Sequence, residues 1–213
     1  MSARLLSVQV GRPRDLEGPK PWRSAFHKTP VEGPVRLRTL NLEGDRQADL
    51  RVHGGPDMAV LCYAAGHYPE WNRSLGFEMP HGGFGENFTV EGLDEWSACI
   101  GDVYGVGEAR VQVSQARGPC FKIGYRWGLP DLLGQVVENQ RSGWYLRVLK
   151  EGVVEAGQSM ELLQRPNPEW TVNRAYRATI NAKAPRDELE GLAACSGLAA
   201  KVRTRLEALL ARS

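Results

Sequence analysis

The stretch ARVQVSQARGPCFK, residues 109–122, begins as a strand and ends as a turn. Val111 and Val113 alternate with Arg110 and Gln112, the two-residue period of a half-buried strand. Gly118 and Pro119 then end that strand and turn the backbone sharply, so Cys120 falls at a strand end. Arg117 and Lys122 flank it, and positive neighbours stabilise the thiolate, the form that binds metals or attacks substrates. Taken alone, the same residues equally suit a small buried cysteine packed beside Phe121.

The strand rhythm repeats on both sides of this stretch. LLSVQV (5–10), VRLRTL (35–40), AVLCY (59–63), NFTVEG (87–92), GWYLRVL (143–149) and SMELL (159–163) have period-two or β-branched character, and most of the 24 Gly and 13 Pro fall between such runs. Residues 66–75 and 129–139 instead space their apolar side chains as short helices do. After RPNPEWTV, marked by Pro166 and Pro168, strand signals cease. Helices are expected over 173–181, 187–195 (with Asp187 as N-cap) and 198–210, where Leu198, Val202, Leu206, Leu209 and Leu210 share one face. The fold expected is mainly β with helical additions: a β-rich domain over 1–168, then a small three-helix domain over 169–213.

Composition narrows the function classes. With 213 residues, 42% hydrophobic, 24% charged and a net charge of +2, the chain supports a real core and suggests neither disorder nor a polyelectrolyte partner. No apolar run of signal-peptide length precedes Gly11, and no eighteen consecutive apolar residues occur, so a cytoplasmic protein with no membrane partner is expected. Cys62, Cys99, Cys120 and Cys195 are far apart and lack zinc spacing, which argues against a structural zinc. Cys62, Cys99 and Cys195 are read as packing residues, His27, His67 and His81 as surface histidines, and the six tryptophans as core or interface anchors. Residues 174–213 hold eight Lys/Arg against four acids. That excess raises nonspecific DNA binding, but no recognition-helix pattern accompanies it, so no nucleic acid partner is expected.

Two further segments carry polar chemistry. GDRQADLRVHGGPD (44–57) offers Arg46, Arg51 and His53 to an anion, and its paired glycines let backbone approach a ligand. The alternative is a solvated turn with local ion pairs. GGFGEN (82–87) ends in Asn87, a donor and acceptor suited to a heteroaromatic ring.

GDRQADLRVHGGPD, YPEW (68–71), GFGENFTVEGLDE (83–95), IGDVYGVG (100–107), SQARGPCFK (114–122) and GWYLRVL, in that order, resemble the MOSC domain family over essentially the whole chain. The helical end resembles the C-terminal extension of a stand-alone bacterial subgroup. The resemblance implies a β-barrel-like domain that binds a pyranopterin molybdenum cofactor, with Cys120 coordinating the metal. A soft thiolate suits a metal already held by dithiolene sulfurs. Matching motif positions place Arg46, Gln47, Asp49, His53, Gly54, Gly55, Asn87, Ser114 and Arg117 around the cofactor, with Asn87 or metal-bound water assisting proton delivery. Two positions depart from the pattern: Ala116 stands where proline is expected, and Met58 where relatives often carry lysine.

The activity so implied is reduction of N-hydroxylated compounds such as hydroxylaminopurines, consuming two electrons and two protons and releasing water. No strand-linked GxGxxG fingerprint is present, so electrons are expected from a separate flavin-type reductase. The competing expectation is a carrier of the cofactor, or of persulfide sulfur on Cys120, for other enzymes. The helical tail is expected to pack on the barrel or to close over the site, with a homodimer as one arrangement.

Overall fold

The structure, a computed structural model, describes residues 3–17, 21–181 and 183–211. Met1, Ser2, Arg212 and Ser213, at the outer ends of the two expected domains, lie outside them. The first strands are β1 (Ala3–Val10), β2 (Arg14–Leu16), β3 (Trp22–Ser24), β4 (Thr29–Pro30), β5 (Val35–Leu37) and β6 (Val60–Ala64). Helix α1 (Tyr68–Leu75) precedes β7 (Phe88–Glu91), β8 (Val103–Val106) and β9 (Ala109–Ala116). Helices α2 (Lys122–Trp127) and α3 (Leu132–Asn139) lead to β10 (Trp144–Lys150), β11 (Gly152–Val154) and β12 (Ser159–Gln164). Helices α4 (Val172–Ile180), α5 (Arg186–Ala194) and α6 (Ala200–Leu210) follow.

Strands pair in the order β12-β8-β9-β10-β6-β7-β1, and β12 pairs back to β1, closing a seven-strand barrel with β4 added at the edge of β1. Closure removes the exposed strand edges that would otherwise recruit other chains. Only β6 and β7 run parallel in the barrel. Strand β6 is buried along its whole length because both of its faces are covered. Val60, Cys62 and Ala64 enter the main core, while Tyr63 enters an aromatic cluster with Trp71, Phe84, Ile123, Leu132 and Val136 beneath α1 to α3. The main core also takes in Val172, Leu192, Leu198 and Leu206, so α4 to α6 share one continuous apolar interior with the barrel.

Several expectations need correction. VRLRTL forms strand only to Leu37, because Arg38 N–H closes a turn onto the Asn41 carbonyl. Strands β2, β3, β4, β8 and β11 were not anticipated; at three or four residues or fewer they are too short to display alternation. Helix α2 was also missed, having only six residues with Gly124 inside it. Pro185, not Asp187, caps α5, and Asp187 lies in the first turn, where it complements the helix dipole. The capping side chain sits one helix earlier: Thr171 Oγ1 accepts from Arg174 N–H at 3.1 Å. His67 is buried with its Nε2 2.7 Å from Glu95, so it is not a surface histidine. Trp96 is 46% exposed and anchors no core, whereas Trp144 is 1% exposed.

Trp144→Ala is expected to cost about 3–5 kcal/mol of unfolding free energy, and Trp96→Ala less than about 0.5 kcal/mol. Urea unfolding followed by circular dichroism checks the contrast, and comparable losses would contradict the placement of the core.

Candidate functional site

Three segments converge outside the open end of β9. The first carries Arg117, Gly118 and Cys120 between β9 and α2. Arg117 is fixed through its backbone N–H to Gly143 (3.0 Å), its carbonyl to the Ser142 hydroxyl (2.9 Å) and its guanidinium to the Ser142 carbonyl (3.4 Å). The guanidinium lies 5.8 Å above the Phe26 ring. It has no carboxylate partner among the described residues.

The second is the 44–58 segment. The buried Asp45 carboxylate accepts from Gly11 N–H (2.7 Å), Lys28 Nζ (2.6 Å) and Asn87 Nδ2 (3.0 Å). Asp57 meets Arg147 Nε at 2.7 Å and Nη2 at 2.6 Å, and accepts from Ala200 N–H at 2.9 Å. Between these pins, Gly54 (φ 93°) and Gly55 (φ 89°) hold backbone that an L side chain strains to adopt. The third segment is the 82–87 loop, shaped by Glu86, whose carboxylate takes N–H groups from Gly82 (2.7 Å) and Phe84 (3.1 Å) and the Tyr68 hydroxyl. Gly85 is needed here: at φ 79° a Cβ would stand 2.8 Å from the Phe26 ring.

Between the segments lies a cleft. Arg46, Gln47, His53, Gly54, Asn87, Arg117 and Cys120 all line it, so most of the expected site residues are brought together. Three are not. Asp49 points outward and pairs with exposed Arg51 at 2.8 Å. Gly55 faces an adjoining cavity instead. Ser114 is fully buried behind the cleft, its hydroxyl within 2.6 Å of the Asp57 carbonyl and 3.1 Å of the Tyr145 carbonyl; it fastens the loop to the barrel.

Asn87 needs a different role from the one expected. Its Nδ2 donates to the Gln9 carbonyl (3.1 Å) and to Asp45, and its Oδ1 accepts from Leu61 N–H (3.1 Å). Both amide donors are thus committed to protein, leaving none for proton delivery. Asn87 positions Asp45.

The cleft also contains residues that sequence reasoning passed over. Lys28 reaches it from beyond β3, and burial pushes its ammonium below the usual lysine range against the opposing pull of Asp45. No motif surrounds Lys28, so nothing local marks it. Tyr145 lines the cleft from β10, where its place between core residues Trp144 and Leu146 puts it on the opposite face. That alternation was the available signal. Burial raises the Tyr145 phenol, and its hydroxyl has no protein partner among the described residues. Lys28, Arg46, Arg117 and Lys122 therefore line one small space with no carboxylate among its described lining residues; the buried Asp45, paired with Lys28, is not one of them.

Of the four cysteines only Cys120 is not buried. Among the described residues no three His, Cys, Asp or Glu side chains cluster as a metal site, so a metal held here would take one protein thiolate and its other ligands from a cofactor. A soft thiolate beside four cations and an open glycine backbone is a donor set that fits an anionic, sulfur-rich metal cofactor.

Fold and site define a class: a closed β-barrel that opens one accessible thiol into a cationic cleft. The chain belongs to the MOSC domain family, whose model matches residues 49–161. It is 44% identical over 174 residues to YflK of Bacillus subtilis, covering 81% of this chain and 79% of that one. It is 34% identical over 198 residues to a protein of Gibberella moniliformis named reductase, covering 91% of this chain and 35% of that longer one. The crystal structure of YiiM from Geobacillus stearothermophilus superposes with a TM-score of 0.83 at 31% identity, covering 98% of this chain and 99% of that one. No helix among the described residues is long and apolar enough to cross a membrane.

Burial, then Lys122 and Arg117, push the His53 imidazole down to about 4, and burial, then Arg126 and Arg14, push His27 to about 4. Both stay neutral in the fold at pH 7, while the unfolded chain takes up protons near 6.5. The stability they confer is complete above pH 6.5 and is lost as pH falls toward 4. Urea midpoints are expected to drop between pH 7 and pH 4.5, less steeply in His53→Gln; parallel slopes for the two proteins would contradict the buried, cation-flanked setting of His53.

Proposed function

We propose that this chain is a cytoplasmic molybdenum-cofactor reductase of N-hydroxylated compounds, with Cys120 as the protein's ligand to the metal. The observation that carries the proposal is that Cys120, alone of four thiols, opens into a cleft facing Lys28, Arg46, Arg117 and Lys122. MOSC domains are associated with molybdenum cofactor binding, and a relative named reductase supports redox chemistry over sulfur transfer.

In this reading the cations hold the phosphate and offset the negative charge of the cofactor, arginine through its planar fork of donors. Gly54 contributes backbone without side-chain bulk, and Asn87 acts indirectly by holding Asp45 and, through it, Lys28. When bound, the cofactor supplies the two-electron couple of the reaction. The reduction R–NHOH + 2e⁻ + 2H⁺ → R–NH2 + H2O also needs protons. Tyr145, protonated at neutral pH and unbonded to protein, presents an O–H near Arg117 and Cys120. It is assigned as the proton donor in place of Asn87. Electrons come from a separate flavin-type reductase, since this chain carries no nucleotide-cofactor fingerprint of its own.

Molybdenum-loaded protein with an artificial electron donor is expected to convert a hydroxylaminopurine to the aminopurine. Tyr145→Phe should lower kcat by roughly 10²-fold, the usual scale for loss of a general acid, with metal content unchanged. Absence of turnover by the loaded wild-type chain, together with delivery of its cofactor to an apo-enzyme, would replace the reductase reading with that of a carrier.

A further inference from the structure

A cavity of about 530 Å³ lies between the barrel and the helical tail. That size is typical of small-molecule sites. Ile100 and Ala116 form its barrel wall, and Ala175, Leu192 and Leu206 its helical wall. It adjoins the Cys120 cleft: His53, Gly54, Met58, Gly118 and Tyr145 line both spaces.

The cavity is apolar in body, with Lys201 and Arg205 on its α6 wall. Besides Tyr145 and Tyr176, its ionisable lining residues are His53, Asp57, Lys201 and Arg205. The Asp57 carboxylate is already taken by Arg147 and the Ala200 N–H. Lys201 and Arg205 stand one turn apart on α6, exposed, with no ion-pair partner among the described residues. Leu209, expected on the buried face of this helix, is instead 40% exposed and lines the same cavity, as does Ile180 at 53%. Two phenols add directional groups: the hydroxyls of Tyr145 and Tyr176 have no protein hydrogen bond among the described residues.

We propose that this cavity is the substrate chamber and that its occupant is a planar heteroaromatic compound bearing an anionic group, of the nucleoside monophosphate type. This inference rests on the proposed reductase reading. The ring lies between the barrel and helical walls with Tyr145 at its reacting edge toward the Cys120 cleft, and the phosphate meets Lys201 and Arg205. An apolar chamber alone accepts a free base as readily as a nucleotide. The two unpaired cations at its side are what favour the phosphorylated form.

Binding tests the inference without metal or turnover. Titration calorimetry on the full chain is expected to show adenosine 5′-monophosphate binding roughly 5- to 30-fold more tightly than adenine, the scale of two exposed charge contacts. In Lys201→Gln/Arg205→Gln that advantage should largely vanish while adenine affinity is unchanged. Because both side chains are exposed, the thermal midpoint should not move. Equal affinities in the wild type, an advantage that survives the double substitution, or binding of neither compound would overturn the assignment. So would a wild-type dimer that Ile180→Glu dissociates and that excludes both compounds, since the face would then belong to a second copy. Failure of the reductase reading would appear separately, as absent turnover by metal-loaded protein that still prefers the nucleotide.

Discussion

Asp45 and Asp57 clamp the two ends of a segment that has little else to hold it. Between them Leu50 is 75% exposed and Val52 54%, so hydrophobic burial contributes little to the loop's conformation. Asp45 ties one end to Gly11, Lys28 and Asn87; Asp57 ties the other to Arg147 on β10 and to the first turn of α6. Removing either carboxylate does more than delete a hydrogen bond. Without Asp45 the Lys28 ammonium is buried and unpaired, a state that costs far more than the net gain from the pair. The same two residues thereby fix the His53 and Gly54 wall of the cleft, the inward reach of Lys28, and the docking of the tail.

That arrangement leaves the cleft electrostatically one-sided. Lys28, Arg46, Arg117 and Lys122 repel one another, and burial, together with the charges of Lys122 and Arg117, holds His53 neutral. A fold tolerates such clustering only where other contacts over-determine it, and such places tend to be functional. An anionic group bound among these cations would relieve the repulsion, which couples occupancy of the site to stability. Cys120 sits in this setting by virtue of chain geometry: β9 ends at Ala116, Arg117 is sewn to the 142–143 turn, and α2 begins two residues after the thiol.

How much of this was legible depended on range. The strands around 109–116, 143–149 and 87–92 announce themselves because alternation is local, and the tail helices do so through their 3.6-residue period. Cys120, Arg117, Arg46 and His53, which line the cleft, stand in dense polar motifs that mark them in the sequence. Ser114 and Asn87 were given ligand roles on their side-chain chemistry, but their partners lie 26 to 78 residues away in sequence, and those long-range partners use up the groups that seemed available. Lys28 and Tyr145 went unnoticed for the converse reason: one sits in an unremarkable segment and the other inside a strand read only for packing. Both owe their place at the site to contacts distant in sequence, Lys28 to its pairing with Asp45 and Tyr145 to the pairing of β10 with β6 and β9, which no local pattern expresses.

The central claim is that Cys120 is the protein's one bond to molybdenum. Metal analysis of the chain purified from a cofactor-producing host tests it most directly. The account predicts about one molybdenum per chain, as a single thiolate ligand supporting one cofactor requires, retained in Cys62→Ala and lost in Cys120→Ala. A Cys120→Ala protein that keeps its full molybdenum would contradict it.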